Sequence, residues 1–177
     1  FGWILKPEDF EVGLDVLVTD IKRIPPGSVD PTIKNYHWLD LVSGMLNSYE
    51  RGHDTAILID EKNNILEGPG FNIFTVDKAG LNTPDHGVLE GITRQTVINL
   101  AKELDLSINI KPISIEEFKS SEELFATSTA GGIMPITKIN GKPVDLGVPG
   151  KITKELHKIY WDKHSDPDWS LSIDDII

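Results

Sequence analysis

Lys34 follows a stiff approach, Pro25-Pro26-Gly27-Ser28-Val29-Asp30-Pro31-Thr32-Ile33, and precedes the aromatic-containing stretch Asn35-Tyr36-His37-Trp38. A lysine desolvated in such a setting loses part of its preference for the charged form, and a neutral amine is what condenses with an aldehyde to a Schiff base. The plain alternative is a solvated surface ammonium, the ordinary state of lysine. Three other segments set glycine or small hydroxyl residues at a strand end or helix start, where backbone N–H groups become available to an anion. In Leu89-Glu90-Gly91-Ile92-Thr93-Arg94, glycine precedes a helical pattern whose free N–H groups and positive dipole end suit a phosphate. Thr93 is equally readable as a simple helix N-cap. In Thr127-Ser128-Thr129-Ala130-Gly131-Gly132, a buried strand delivers hydroxyls to a bend that can form a nest for anionic oxygens, or is an ordinary bend between strands. Glu67-Gly68-Pro69-Gly70-Phe71-Asn72 sets a carboxylate at a strand end beside a turn, a position more often surface-exposed than catalytic.

The elements that must position these groups are legible from periodicity. Glu11 to Arg23 alternates as a strand and stops at Pro25-Pro26-Gly27, which cannot continue a ladder. From Asn35 to Arg51 the apolar Leu39, Val42, Met45, Leu46 and Tyr49 recur at helical spacing, with Gly52 as a C-terminal cap. Thr55 to Asp60 and Ile65-Leu66 flank Asn63-Asn64 as a hairpin, and Asn72 to Asp77 reads as a further strand. A Pro- and Gly-rich loop then runs to Gly91, and Thr93 to Leu106 is an amphipathic helix. Ser107 to Ile113 predicts a strand, Ile115 to Ser120 a short helix, and Leu124 to Thr129 and Ile133 to Ile139 two more strands. Asn140-Gly141 is a hairpin turn, and Lys151 to Lys163 is a last helix with Leu156, Ile159 and Tyr160 inward. Mixed hairpins and helices indicate an α/β or α+β fold.

Composition narrows the chemistry. At 177 residues, 39% hydrophobic and 25% charged, the chain fits one soluble globular domain. A net charge of -11 opposes binding to nucleic acid or an anionic membrane through a broad basic face. The absence of cysteine excludes disulfides, thiolate metal sites and cysteine nucleophiles, and the five histidines lack zinc-ligand spacing, so no metal is expected. No G-x-S-x-G or Walker pattern occurs. No long apolar run or secretory signal pattern is present, which makes the cytoplasm the expected location. The first residue is Phe rather than Met, as in the later part of something longer.

Taken in chain order, PPGSVDPTIKNYHW, LEGPGFNIF, TPDHGVLEGITRQ and ELFATSTAGGIMPIT resemble the class IV, fold-type IV pyridoxal-phosphate (PLP) enzymes over nearly all of Arg23 to Trp161. That family includes branched-chain and D-amino-acid aminotransferases, (R)-selective amine transaminases and aminodeoxychorismate lyase. PPGSVDPTIKNYHW and TAGGIMPIT look most like the (R)-selective branch, and the order Lys34-Asn35-Tyr36-His37-Trp38 leans away from some branched-chain enzymes.

The resemblance implies a D-amino-acid-aminotransferase-like C-terminal domain with a barrel-like sheet and flanking helices. It divides the chain into a strand and lead-in from an absent N-terminal domain (1–22), the PLP-binding domain (23–164) and a tail (165–177). It implies that Lys34 carries the cofactor and shuttles the substrate proton, and that Glu67 faces the pyridine nitrogen. By the same resemblance Leu89 packs on the ring, Ile92, Thr93, Ser128 and Thr129 hold the phosphate end, and Trp38, Ala130 and Gly131 lie near the substrate. The implied reaction is ping-pong transamination between an amino acid or amine and a 2-oxo acid, in a homodimer. A lyase on the same scaffold and a non-catalytic remnant are the alternatives, since the absent domain supplies a phosphate-binding arginine and pocket residues in relatives.

Overall fold

A computed structural model describes residues 7–172, so the outer parts of the expected lead-in and tail lie outside the described residues. The elements run α1 (Pro7–Val12), β1 (Leu14–Lys22), α2 (Leu39–Glu50), β2 (Thr55–Ile59), β3 (Glu67–Gly68), β4 (Phe71–Asp77), β5 (Gly80–Thr83), α3 (Ile92–Glu103), β6 (Ile108–Ile110), α4 (Ile115–Ser120), β7 (Glu123–Ser128), β8 (Gly132–Ile139), β9 (Lys142–Pro143) and α5 (Lys151–Asp162).

The strands form one mixed sheet in the order β2-β1-β8-β7-β4-β5-β6, with β3 also on β4 and β9 on β8. β1 runs parallel to both β2 and β8, and β5 is parallel to β6. The antiparallel ladders β7·β8, β4·β7 and β4·β5 link these two parallel regions. The sheet curls into a half-barrel flanked by helices, which bears out the expected α/β, barrel-like architecture. β1, which falls within the segment read as a lead-in (1–22), is an inner strand of this sheet between β2 and β8.

Alternation along the strands separates two cores. Leu124, Ala126, Met134, Ile136 and Ile73 join Leu14, Val16 and Phe118 on one side. Phe125, Ile133 and Phe74 turn to the other, where they meet Val97, Leu100 and Ala101 of α3 and Leu156 and Tyr160 of α5. Each fully buried Val, Leu, Ile, Phe or Met side chain among them contributes roughly 1.5–3 kcal/mol relative to exposure. The rings of Phe74 and Phe125, paired across β4 and β7, stack at 4.9 Å between centroids.

Three sequence expectations need correction. The strand predicted from Glu11 begins later, because Glu11 and Val12 end α1 and Gly13, at φ +68, makes the break. A Cβ on Gly13 would lie 2.4 Å from Thr137 Cγ2, so β8 leaves no space for a side chain there. The helix predicted from Asn35 starts at Leu39: Asn35 donates to the Ile33 carbonyl and accepts from the His37 N–H, local bonds that compete with a helical turn. The loop predicted before Gly91 contains β5, whose first residue, Gly80, lies where a Cβ would be 2.3 Å from the Ser107 carbonyl.

Both predicted hairpin turns form with positive φ, at Asn63 (64) and at Asn140 and Gly141 (52 and 75). Asp60 closes the first turn by accepting from the Lys62 and Asn64 N–H groups.

Two structural predictions arise here. Glu123 accepts from the Ile152 and Thr153 N–H groups and the Thr153 hydroxyl, placing a carboxylate at the start of α5, whose N-cap Gly150 has no side chain to do so. Glu123→Ala is expected to cost about 1–2 kcal/mol in chemical unfolding.

His157, on α5, donates Nδ1–H to the Ile133 carbonyl at 2.9 Å and lies 3.9 Å from the Phe10 ring. Burial pushes its pKa below the ordinary 6.5, with the Ile133 bond acting the other way. A depressed folded-state pKa means that the contribution of the neutral ring is present above the unfolded value and is lost as pH falls through the folded one. Thermal unfolding midpoints are therefore expected to fall more steeply below about pH 6.5 in the parent chain than in His157→Gln.

Candidate active site

A cavity of about 440 Å³ opens where α2, the β3–β4 turn, the start of α3 and the end of β7 converge. Lys34, Trp38, Glu67, Leu89, Ile92, Thr93, Ser128 and Thr129 all line it, although they span nearly a hundred residues of sequence. Ala130 and Gly131 do not line it: Ala130 is exposed beyond the end of β7, and the Gly131 N–H is taken by the Ser128 hydroxyl at 2.9 Å. Among the described residues no cluster is suited to a metal ion, and no helix is long and apolar enough to cross a membrane.

Glu67 is the most constrained group. It is only 5% exposed, and β3 fixes its backbone by pairing Glu67 with Asn72 of β4. One carboxylate oxygen accepts from Arg23 Nε at 3.0 Å and the other from the Leu89 N–H at 2.9 Å. Burial raises its pKa above the usual carboxylate range, while the Leu89 N–H and the Arg23 guanidinium pull it back. Arg23 is itself held by Asp40, with Nη1 to Oδ2 at 2.7 Å, and Asp40 also accepts from the Ile24 N–H. Burial opposes the Asp40 charge, but the Ile24 N–H and Arg23 outweigh it and hold Asp40 below its ordinary range.

The start of α3 supplies the anion-binding end. Its N-cap is Gly91, and no side chain caps it; Thr93, the sequence candidate for that cap, lies inside the helix and is buried. The first N–H groups thus keep their capacity for a ligand. Asn72 fills the space that the missing Gly91 side chain leaves: a Cβ there would lie 2.3 Å from Asn72 Oδ1, and Asn72 Nδ2 donates to the Leu89 carbonyl. Behind the loop, buried Arg94 donates to Thr83 Oγ1 and the Pro84 carbonyl.

The end of β7 and the residue after it bring Ser128 and Thr129 to the cavity, and Thr127 Oγ1 is buried with no partner. An orphaned buried hydroxyl costs free energy unless a ligand or water meets it. A buried carboxylate, uncapped helix N–H groups and hydroxyls lining one cavity fit a phosphorylated, nitrogen-containing ring.

Lys34 stands at the mouth of the cavity and is exposed, so the expected desolvation is absent from the described chain alone. Its loop is braced by Asp30, which accepts from the Thr32 N–H and hydroxyl, and by Trp38 Nε1, which donates to the Asn35 carbonyl. Arg23 and Asp40 were not among the sequence candidates, and Asn72 and Thr127 stood there only as members of the Glu67–Asn72 and Thr127–Gly132 segments, without roles of their own. Arg23 sits at a strand end before Pro25-Pro26, and only its buried pairing with Glu67 distinguishes it from a surface cation.

The profile of the family described as amino-transferase class IV matches residues 5–139. The chain is 32% identical over 168 residues to the branched-chain-amino-acid aminotransferase of Escherichia coli K12, a match covering 91% of the chain and 53% of that protein. The PLP-form of the branched-chain amino acid aminotransferase from Thermobaculum terrenum superposes with a TM-score of 0.84 at 31% identity, covering 90% of this chain and 53% of that one. The T.th. branched-chain enzyme with pyridoxamine 5′-phosphate gives 0.88 at 25%, covering 96% and 57%. The chain thus spans about half the length of the relatives it matches. These relatives carry branched-chain names, whereas the motif phrases alone leaned toward the (R)-selective amine branch. Matched by the family profile over most of its length, and sharing its fold with these solved relatives, the chain belongs to the class IV aminotransferases.

Proposed function

We propose that the chain is the cofactor-carrying half of a PLP-dependent aminotransferase that moves an amino group between an amino acid or amine and a 2-oxo acid. The observation that carries this reading is the single cavity that gathers Lys34, Glu67 and the uncapped start of α3. Its relatives are bound to PLP in one case and pyridoxamine 5′-phosphate in another, and they act on branched-chain amino acids by name. Residues 23–164 form the cofactor-binding unit in this reading, 1–22 lead into it and 165–177 are a tail.

When bound, PLP supplies an electron sink for the bond broken at the substrate Cα. Lys34 provides the amine for covalent attachment and then moves the proton between Cα and the cofactor C4′ atom, as base and afterwards acid. Glu67 pairs with the ring nitrogen and favours its protonated form. Leu89 packs on the ring, while Ile92 and Thr93 N–H groups with the Ser128 and Thr129 hydroxyls take the phosphate. Trp38 borders the substrate side. Ala130 and Gly131 contribute only backbone, just beyond β7 and outside the cavity lining.

The partner in this reading is a second copy of the parent protein. In its support, α2 turns Leu39, Leu46 and Tyr49 outward, at 81%, 54% and 47% exposure, although they form its apolar stripe. Such a stripe on a charged chain suits a protein interface. Leu46→Lys is then expected to lower the apparent mass of the parent dimer in light scattering.

The reaction is tested with the PLP-loaded protein. An amino donor converts the bound cofactor to its pyridoxamine form, and a 2-oxo acid returns it. Product release by elimination, with no requirement for the 2-oxo acid, would replace the transferase with the lyase reading.

A further inference from the structure

We propose that Arg23, anchored by Asp40, is a positioning residue that holds the Glu67 carboxylate as an anion and so keeps the shared proton on the cofactor's ring nitrogen. The proposal rests on the cofactor reading above and deepens it. In the cluster, one guanidinium bridges two carboxylates, 3.0 Å to Glu67 and 2.7 Å to Asp40, with Arg23 and Glu67 both nearly inaccessible to solvent. One cation between two anions leaves a single negative charge at the cavity wall, which a protonated ring nitrogen neutralises.

Where the proton rests between Glu67 and the ring nitrogen depends on their relative basicity. Arg23 makes Glu67 less basic, and Asp40 opposes this weakly through its own charge while fixing the guanidinium in place. Other charged side chains lining the same cavity are Lys34 and Glu90, and neither contacts the Glu67 carboxylate. Each partner comes from a different element: Arg23 follows β1, Asp40 lies in the first turn of α2, and Glu67 opens β3. A purely structural clamp would join the same three elements without affecting the proton.

The test reads Glu67 first without cofactor, by carbon NMR titration of the glutamate-labelled chain, with the signal assigned by Glu67→Gln. Arg23→Met is expected to raise the Glu67 midpoint by about 1–3 pH units, because an opposite charge at contact distance is lost. Arg23→Lys, which keeps the charge, recovers part of the shift, and Asp40→Asn moves the midpoint downward. These opposite signs separate an electrostatic role from loss of packing. If Arg23→Met does not fold, Asp40→Asn still decides: an unchanged or raised midpoint overturns the proposal.

With ring-¹⁵N-labelled PLP bound, the nitrogen signal is expected at its protonated position in the parent and displaced toward the unprotonated one in Arg23→Met. An unchanged Glu67 midpoint in a folded Arg23→Met chain, or an unchanged ring signal, overturns it as well. Failure of the parent to attach PLP at Lys34 is a separate result: it defeats the cofactor reading and leaves the titration as the measure of Arg23's hold on Glu67.

Discussion

Lys34→Ala is expected to eliminate covalent attachment of PLP and to lower transamination by the parent protein by at least about 10³-fold, more than any other single change. The size follows from two duties carried by one amine. It makes the covalent link, and it is the only amine lining the cavity that can take the proton from the substrate Cα. Arg23, the other basic side chain there, is bonded to Glu67 and Asp40 and cannot give up its proton at working pH. Lys34 is also exposed and outside the packed cores, so alanine there should leave the unfolding transition unchanged. Loss of attachment with unaltered stability is measured by borohydride reduction beside chemical unfolding of the same sample.

Glu67→Gln is expected to keep the attachment to Lys34 but to slow the reaction by roughly 10²–10³-fold, the usual effect of losing one preorganised charge from a dry site. Glutamine fills the same volume and can still accept from the Leu89 N–H, but it carries no charge to favour a protonated ring nitrogen. It also leaves Arg23 with Asp40 as its sole carboxylate partner. Because burial raises the Glu67 pKa, the free carboxylate costs folding free energy as it ionises, so its contribution to stability is greatest below the unfolded value of about 4.5 and is lost as pH rises through the higher folded value. Glu67→Gln removes that loss. The variant should therefore lose less stability than the parent on going from acid to neutral pH, while its rate is lower throughout.

Much of this architecture was legible in the sequence because the signals were local. Asn140-Gly141 announced a two-residue hairpin turn, and both residues adopt positive φ. Leu124 to Thr129 read as a buried strand, and β7 does lie within the sheet with a different core on each face. The periodicity of α3 survived because Val97, Leu100 and Ala101 pack on that sheet. Misreadings came where nonlocal contacts decide the outcome. β5 is four residues long, starts with glycine and runs into Pro84, so its strand character comes from pairing with β4 and β6. The apolar stripe of α2 marked the helix, but its buried positions are Leu41, Gly44 and Ser48, which packing against the sheet selects.

The candidate site divides the same way. Motif order pointed to Lys34, Glu67 and the start of α3, and the fold brings them to one cavity. Glu67 carries no signal by itself; its meaning comes from Arg23, 44 residues earlier, and from the Leu89 N–H, 22 residues later. Asn72 was read only as the start of a strand, whereas its side chain occupies the gap beside Gly91.

The most direct test of the cofactor assignment is an absorbance spectrum of the purified chain with PLP, before and after borohydride reduction, followed by mass spectrometry to locate the modified lysine. One modified residue, Lys34, is expected, with no labelling in Lys34→Ala. A folded chain modified at other lysines, or still labelled after Lys34→Ala, would contradict the assignment.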